Sequence, residues 1–191
     1  MSENVNQTLD EILYDIKEDL DKYKDNAGSD NIQYKEIINY KLTKNLKIIH
    51  LLNNTDLGIS NATEHYGVNI LPYYLLVDAQ TESKNYICFE TSFDEVNRAN
   101  DIMKLGRIIF YIICDNKDII VPDIEIARHD LLAALITDEF NWCNDFGTQI
   151  KLVSDRPSAI DSQYVGRTLI FEQITPNSII KNGRVYNNTL R

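Results

Sequence analysis

The stretch from Arg107 to Phe140, RIIFYIICDNKDIIVPDIEIARHDLLAALITDEF, decides the fold. In its first part Ile108, Phe110, Ile112 and Cys114 alternate with Ile109, Tyr111 and Ile113. An extended chain of that pattern carries apolar groups on both faces, as an interior strand covered on each side does. The β-branched and aromatic content, and the turn-forming Asp115-Asn116 that follows, favour a strand over a buried helix segment. The second part changes period. At 100° per residue Leu131, Leu132, Leu135 and Ile136 share one face while Asp130 and Thr137 point away, which predicts an amphipathic helix.

Arg128 falls near the middle of that apolar stripe, in the first turn. A cation there opposes the helix dipole and loses hydration, so it calls for a carboxylate or carbonyl partner elsewhere in the fold or in a neighbouring chain. The competing reading is that Arg128 snorkels its charge out from beside the core.

Working outward, Thr8 and Glu11 form a capping box, and Leu9, Ile12, Leu13, Ile16, Leu20 and Tyr23 follow at helical spacing. The turn formers DNAGSDN, residues 25 to 31, end this helix and predict a flexible joint, so that it can dock on its own core or on a neighbouring subunit. Apolar positions from Ile37 to Leu52 predict one broken helix or two short ones, with Lys41, Lys44 and Lys47 outside and a stop at Asn53 to Gly58. Residues 58 to 69 read as loop. Strand-like runs follow at ILPYYLLV (70–77), NYICFETS (85–92) and 107–114, with Pro72 placing the first at an edge or a strand start. Residues 93 to 105 read as a long connection. Two further strands are expected at QIKLV (149–153) and GRTLIFEQI (166–174), joined by a loop containing Pro157. In the tail, Asn182-Gly183 between two β-prone pieces is a hairpin signal.

The fold class that results is α/β in the broad sense, α+β in detail. It has a mixed or antiparallel sheet of about four to five strands packed by amphipathic helices, an N-terminal helical extension and a possible C-terminal hairpin arm. The expected organisation is residues 1–31 as helix and joint, 32–174 as a single core domain, and 175–191 as tail or arm.

Twenty-nine acidic residues against 19 basic give a formal charge of −10. With no Lys/Arg cluster, a broad basic surface for nucleic acid or anionic membrane is not expected. Such a balance suits a channel along which DNA slides without sticking, or solubility alone. Three cysteines without CxxC spacing predict neither a disulfide framework nor a zinc site; Cys88 and Cys114 read as core residues. No secretory signal and no membrane span is expected, which places the chain in a reducing compartment.

Chemistry finds little support. Phosphate loops of the GxGxxG and GxxxxGK[ST] types are absent. His50 or His65, then His129-Asp130, then Asp145 or Asp155 follow the order of ligands in metal-dependent phosphohydrolases of the HD type. Adjacent helical residues point 100° apart, however, and the strand content contradicts an all-helical domain. No serine lies in a G-x-S-x-G context and Cys143 has no evident base. The expectation is no catalytic set, no cofactor and no metal.

The succession L-L-N-N-T-D-L-G, N-I-L-P-Y-Y-L, Y-I-C-F-E, K-L-G-R-I-I-F-Y-I-I-C, A-R-H-D-L-L-A-A-L-I and Y-V-G-R-T-L-I-F resembles the small head-to-tail connection proteins of tailed bacteriophages, the tail-terminator or neck-ring group. The resemblance covers roughly residues 45 to 174 and includes an amphipathic helix opening Arg-x-Asp, matched by Arg128 and Asp130. It implies a structural virion protein at the head-tail junction: a ring of identical subunits in contact with portal or adaptor and tail proteins, whose lumen passes DNA without specific binding. Arg128 and Asp130 would then serve structure and assembly. The alternatives are a small intracellular protein-binding adaptor and the HD-type hydrolase.

Overall fold

The computed structural model describes residue 14 and residues 30–74, 84–95, 102–122, 124–160 and 162–176. The expected N-terminal helix, apart from Tyr14, and the hairpin at Asn182-Gly183 lie outside the described residues.

The predicted break in the first helical region is real and has a local cause. Helix α1 spans Asp30–Lys44 and α2 spans Leu46–Leu52. Between them Asn45 leaves helical geometry, and its side chain accepts from Lys47 N and Ile48 N, so it caps α2. Asn53 ends α2 in the left-handed region (φ 48°), which asparagine tolerates better than most residues. Asp30 and Asn31, expected in the joint, already belong to α1. Residues 58 to 69, expected as loop, hold a 3-10 helix at Ile59–His65.

The strands are β1 (Ile70–Leu71), β2 (Tyr86–Glu95), β3 (Met103–Asp115), β4 (Lys151–Ala159) and β5 (Tyr164–Pro176). They form one open mixed sheet in the order β1-β2-β3-β5-β4. β1 runs parallel to β2, and the remaining pairs are antiparallel. The long connection expected over 93–105 is strand at both ends, 93–95 in β2 and 103–105 in β3; residues 96–101 lie outside the described residues. Pro157 is not in a loop but in β4, opposite Arg167. β4 is the edge of the sheet, where a missing backbone donor does not break a ladder. At Gly166 an added Cβ would overlap the carbonyl oxygen of Ile112, so glycine is what lets β5 close on β3.

Helix α3 (Arg128–Phe140) joins α1 and α2 on one face of the sheet. Ile38 and Leu42 of α1, Ile48 and Leu52 of α2, and Leu132, Ile136 and Phe140 of α3 pack there on Ile87, Phe89, Ile108, Phe110, Ile112, Leu169 and Phe171. Phe110 stands at the centre, with the rings of Phe140, Phe171 and Phe89 at 4.9, 5.7 and 6.2 Å. Such ring separations suit tilted and edge-to-face packing. Among the described residues the opposite face carries a small buried cluster of Leu71, Tyr86, Cys88, Ile113 and Tyr164. β3 is therefore central in the sheet but not covered on both sides along its length: Ile109 and Tyr111 are half-buried.

Candidate functional site

The first turn of α3 sends two charged side chains in different directions, and each builds a polar centre. Arg128 turns toward the C-terminal end of α2. Its Nη1 donates to Leu51 O at 2.8 Å, Nε to Asp118 O at 2.8 Å and Nη2 to Asp118 Oδ1 at 2.7 Å. The residue is 3% exposed, which excludes snorkelling, and its partners are intramolecular. The last carbonyls of a helix lack partners and carry its negative dipole end. Arg128 thus stands at the unfavourable end of its own helix but at the favourable end of α2, and the carboxylate of Asp118 completes its neutralisation.

Asp118 is in turn held by amides. Its Oδ2 accepts from Asn53 Nδ2 and Asn85 Nδ2, both at 2.9 Å. Asn85 also donates to Leu52 O at 3.1 Å, and its Oδ1 accepts from Asp115 N at 3.3 Å. Asn69 Nδ2 donates to Asn85 O at 2.9 Å, while Asn69 Oδ1 accepts from Asn54 Nδ2 at 2.6 Å. His65 sits between Asn69 Oδ1 at 3.2 Å and Gly58 O at 3.3 Å. The result is a buried polar chain tying α2, α3, the 3-10 helix, β2 and the end of β3. A buried network of this kind stabilises only when its members are satisfied, and these are.

Asp130 points to the sheet. Its Oδ1 accepts from Arg167 Nη1 at 2.6 Å, and Arg167 also binds both carboxylate oxygens of Asp155 on β4. The hydrogen bond to Asp155, burial working against it and the two carboxylate charges together raise the Arg167 pKa, keeping it charged. This trio borders a cleft of about 780 Å³ between α3 and β4, with Thr137, Asp138 and Trp142 farther along it.

The residues of the HD-type reading do not converge. His129 Nε2 is 3.4 Å from Asp130 Oδ1, but a guanidinium, not a free space, lies between Asp130 and Asp155. His65 belongs to the asparagine network, His50 is exposed on α2, and Asp145 pairs with Lys41 at 2.7 Å. Among the described residues no group of three or more His, Cys, Asp or Glu side chains could hold a metal ion. Burial pushes the Cys114 thiol up to about 12 and raises that of Cys143, so neither is activated as a nucleophile. No helix among the described residues is long and apolar enough to cross a membrane.

Of these groups the sequence singled out Arg128 and Asp130, and His65 and Asp155 only as candidate metal ligands, but not Asp118, Asn85, Asn69 or Arg167. Asp118 carries a weak signal, an acid in the turn between a strand and a helix that opens on a buried arginine. The asparagines carry none, because Asn in a connection ordinarily marks a turn.

No curated protein and no solved structure matches the chain. A family model, YomW, matches residues 6–173, which takes in both polar centres and four strands with most of the fifth. The chain accordingly belongs to the YomW family and is a phage-associated protein.

Proposed function

We propose that this chain is a structural, non-enzymatic protein of the phage particle, closing into a homo-oligomeric ring at the head-tail junction. In the tail-terminator or neck-ring position it would lie between portal or adaptor and tail proteins. Membership of a phage-associated family supports the setting. The observation that supports the ring reading is the sheet's second face, over which no helix lies among the described residues. Ile109 and Ile170 are half-buried there, Ile174 is 52% exposed, and the charged row of Glu90, Arg107 and Glu172 runs beside them. One copy can cover that face with a different surface of the next, and such heterologous contacts generate rings when the rotation closes. A formal charge of −10 also suits a lumen that must not hold DNA by its phosphates.

The test is the mass of the purified protein by light scattering over a concentration series, with and without portal rings, and metal content on the same sample. A closed multimer, alone or on the portal, is the expected result. A strict monomer under every condition overturns the ring, and one that retains stoichiometric metal reopens the hydrolase reading of His129 and Asp130.

A further inference from the structure

The helix layer carries an apolar groove that the described residues leave unfilled. Leu46 and Leu51 of α2 form one wall, Leu131, Ala134 and Leu135 of α3 the other, and Ile124 closes an end, around a concavity of about 640 Å³. Leu46 is 55% and Ile124 52% exposed. Ile124 is not on a loose loop, since Ile120 and Ala127 bridge its base and Val121 N donates to Ile126 O at 3.1 Å. The groove exists because the apolar stripe of α3 is wider than the core needs. Leu132, Ile136 and Phe140 are fully buried, while Leu131 and Leu135, one step around the helix, reach only its flank.

We infer that the groove receives the amphipathic segment 8–24 of a neighbouring copy, a contact that rests on the ring reading above and deepens it. The dimensions agree. From Leu131 to Asp138 the α3 wall rises about 10 Å, and Ile12, Ile16 and Leu20, spaced by four residues, would span about 12 Å on one face of the helix that their spacing predicts. Tyr14 is helical and 62% exposed, and its position falls off that stripe. Ala134 is exposed at the groove, and a side chain that small lets a docking helix approach closely. Charge agrees as well. The segment holds Asp10, Glu11, Asp15, Glu18, Asp19 and Asp21 against three lysines; Lys47 and His50 line the groove on the α2 side and would face the acidic residues, while Asp138 on the α3 side would face the lysines. In a closed ring each copy offers one helix and one groove, so exchange fills every groove and leaves no helix over.

The full-length chain tests this by disulfide trapping on a Cys143→Ser background, since Cys88 and Cys114 are buried. Leu46→Cys chains and Ile16→Cys chains are mixed, allowed to assemble and oxidised. A covalent pair containing one chain of each kind is expected, and adding Leu46→Glu to the Ile16→Cys chains should leave that pair intact, whereas Ile124→Glu on the Leu46→Cys chains should reduce it at least tenfold. Multimers that form without the pair overturn the exchange while leaving the ring standing. A chain carrying both cysteines that closes only on itself, as a monomer, overturns the exchange and the ring together.

Discussion

Arg128 and Arg167 are both bound by aspartates and both tie α3 to a neighbouring element, yet they stand in different dielectric settings. The Arg128 side chain is 4% exposed and that of Arg167 27%, with Asp130 at 44%. Around Arg128 water is replaced by two backbone carbonyls and a carboxylate that is itself held by two asparagines. Around Arg167 water competes at the mouth of a cleft. An ion pair is therefore not one quantity of stability. Its removal is costly in proportion to how much unpaired polarity is left buried, and cheap where solvent takes over the contact.

The largest effect is expected from Arg128→Ala. It leaves the Asp118 carboxylate and the Leu51 carbonyl short of a donor, and should cost about 3–5 kcal/mol in urea unfolding. A cost under about 1 kcal/mol would mean that water reaches this corner and would break the contrast.

A buried neutral group gives an intermediate case. Tyr34, 5% exposed, donates to Phe146 O at 3.0 Å. Burial, against opposing hydrogen bonds with Thr175 and Gln173, pushes its phenol up to about 12. The unfolded phenol ionises near pH 10, so this stability is complete below about pH 10 and lost as pH rises toward 12. Burial first, then the nearby Glu90, moves Tyr111 to about 12 in the same direction. Thermal unfolding should lose on the order of 2 kcal/mol over that window from Tyr34, and less from the half-buried Tyr111, where solvent screens the charge. Tyr34→Phe should flatten the alkaline limb; an unchanged limb would show that Tyr34 ionises alike folded and unfolded.

The smallest effect is expected from Arg167→Ala, about 1 kcal/mol or less at low salt, fading as salt screens the pairs in the wild type. A loss above about 2 kcal/mol that persists in high salt would place Arg167 with Arg128 and not opposite it.

How much of this was legible depends on the range of the interaction. Period two in Ile108 to Cys114 and the helical spacing of Leu131, Leu132, Leu135 and Ile136 are local signals, and both elements appear where they point. The α1–α2 break was legible in the apolar spacing, though not at Asn45, and the stop after α2 was legible because the Asn53 to Gly58 run acts on its own backbone. Pro157 misled because its meaning depends on whether its strand is interior or edge, which strand order alone decides. Arg128 announced that its charge needed either a partner or a route to solvent, since a charge on an apolar stripe is expensive when left buried alone. It could not name the partner, because Leu51 lies 77 residues away along the chain.

By itself, then, the sequence determined the central strand and the amphipathic helix that follows it, the helix face that must be buried, and the presence of an arginine on that face that needed either a partner or a route to solvent. These follow from side-chain chemistry and backbone preference within a few residues. Only the tertiary structure decided that α2 ends against Arg128, that Asn69 and Asn85 carry the network onward, that Arg167 joins Asp130 to Asp155, and that one sheet face and one helical groove stay open. The physical reason is that satisfaction of a buried polar group, and coverage of an apolar surface, depend on what the folded chain brings within a few ångströms, and strand order and helix placement set that.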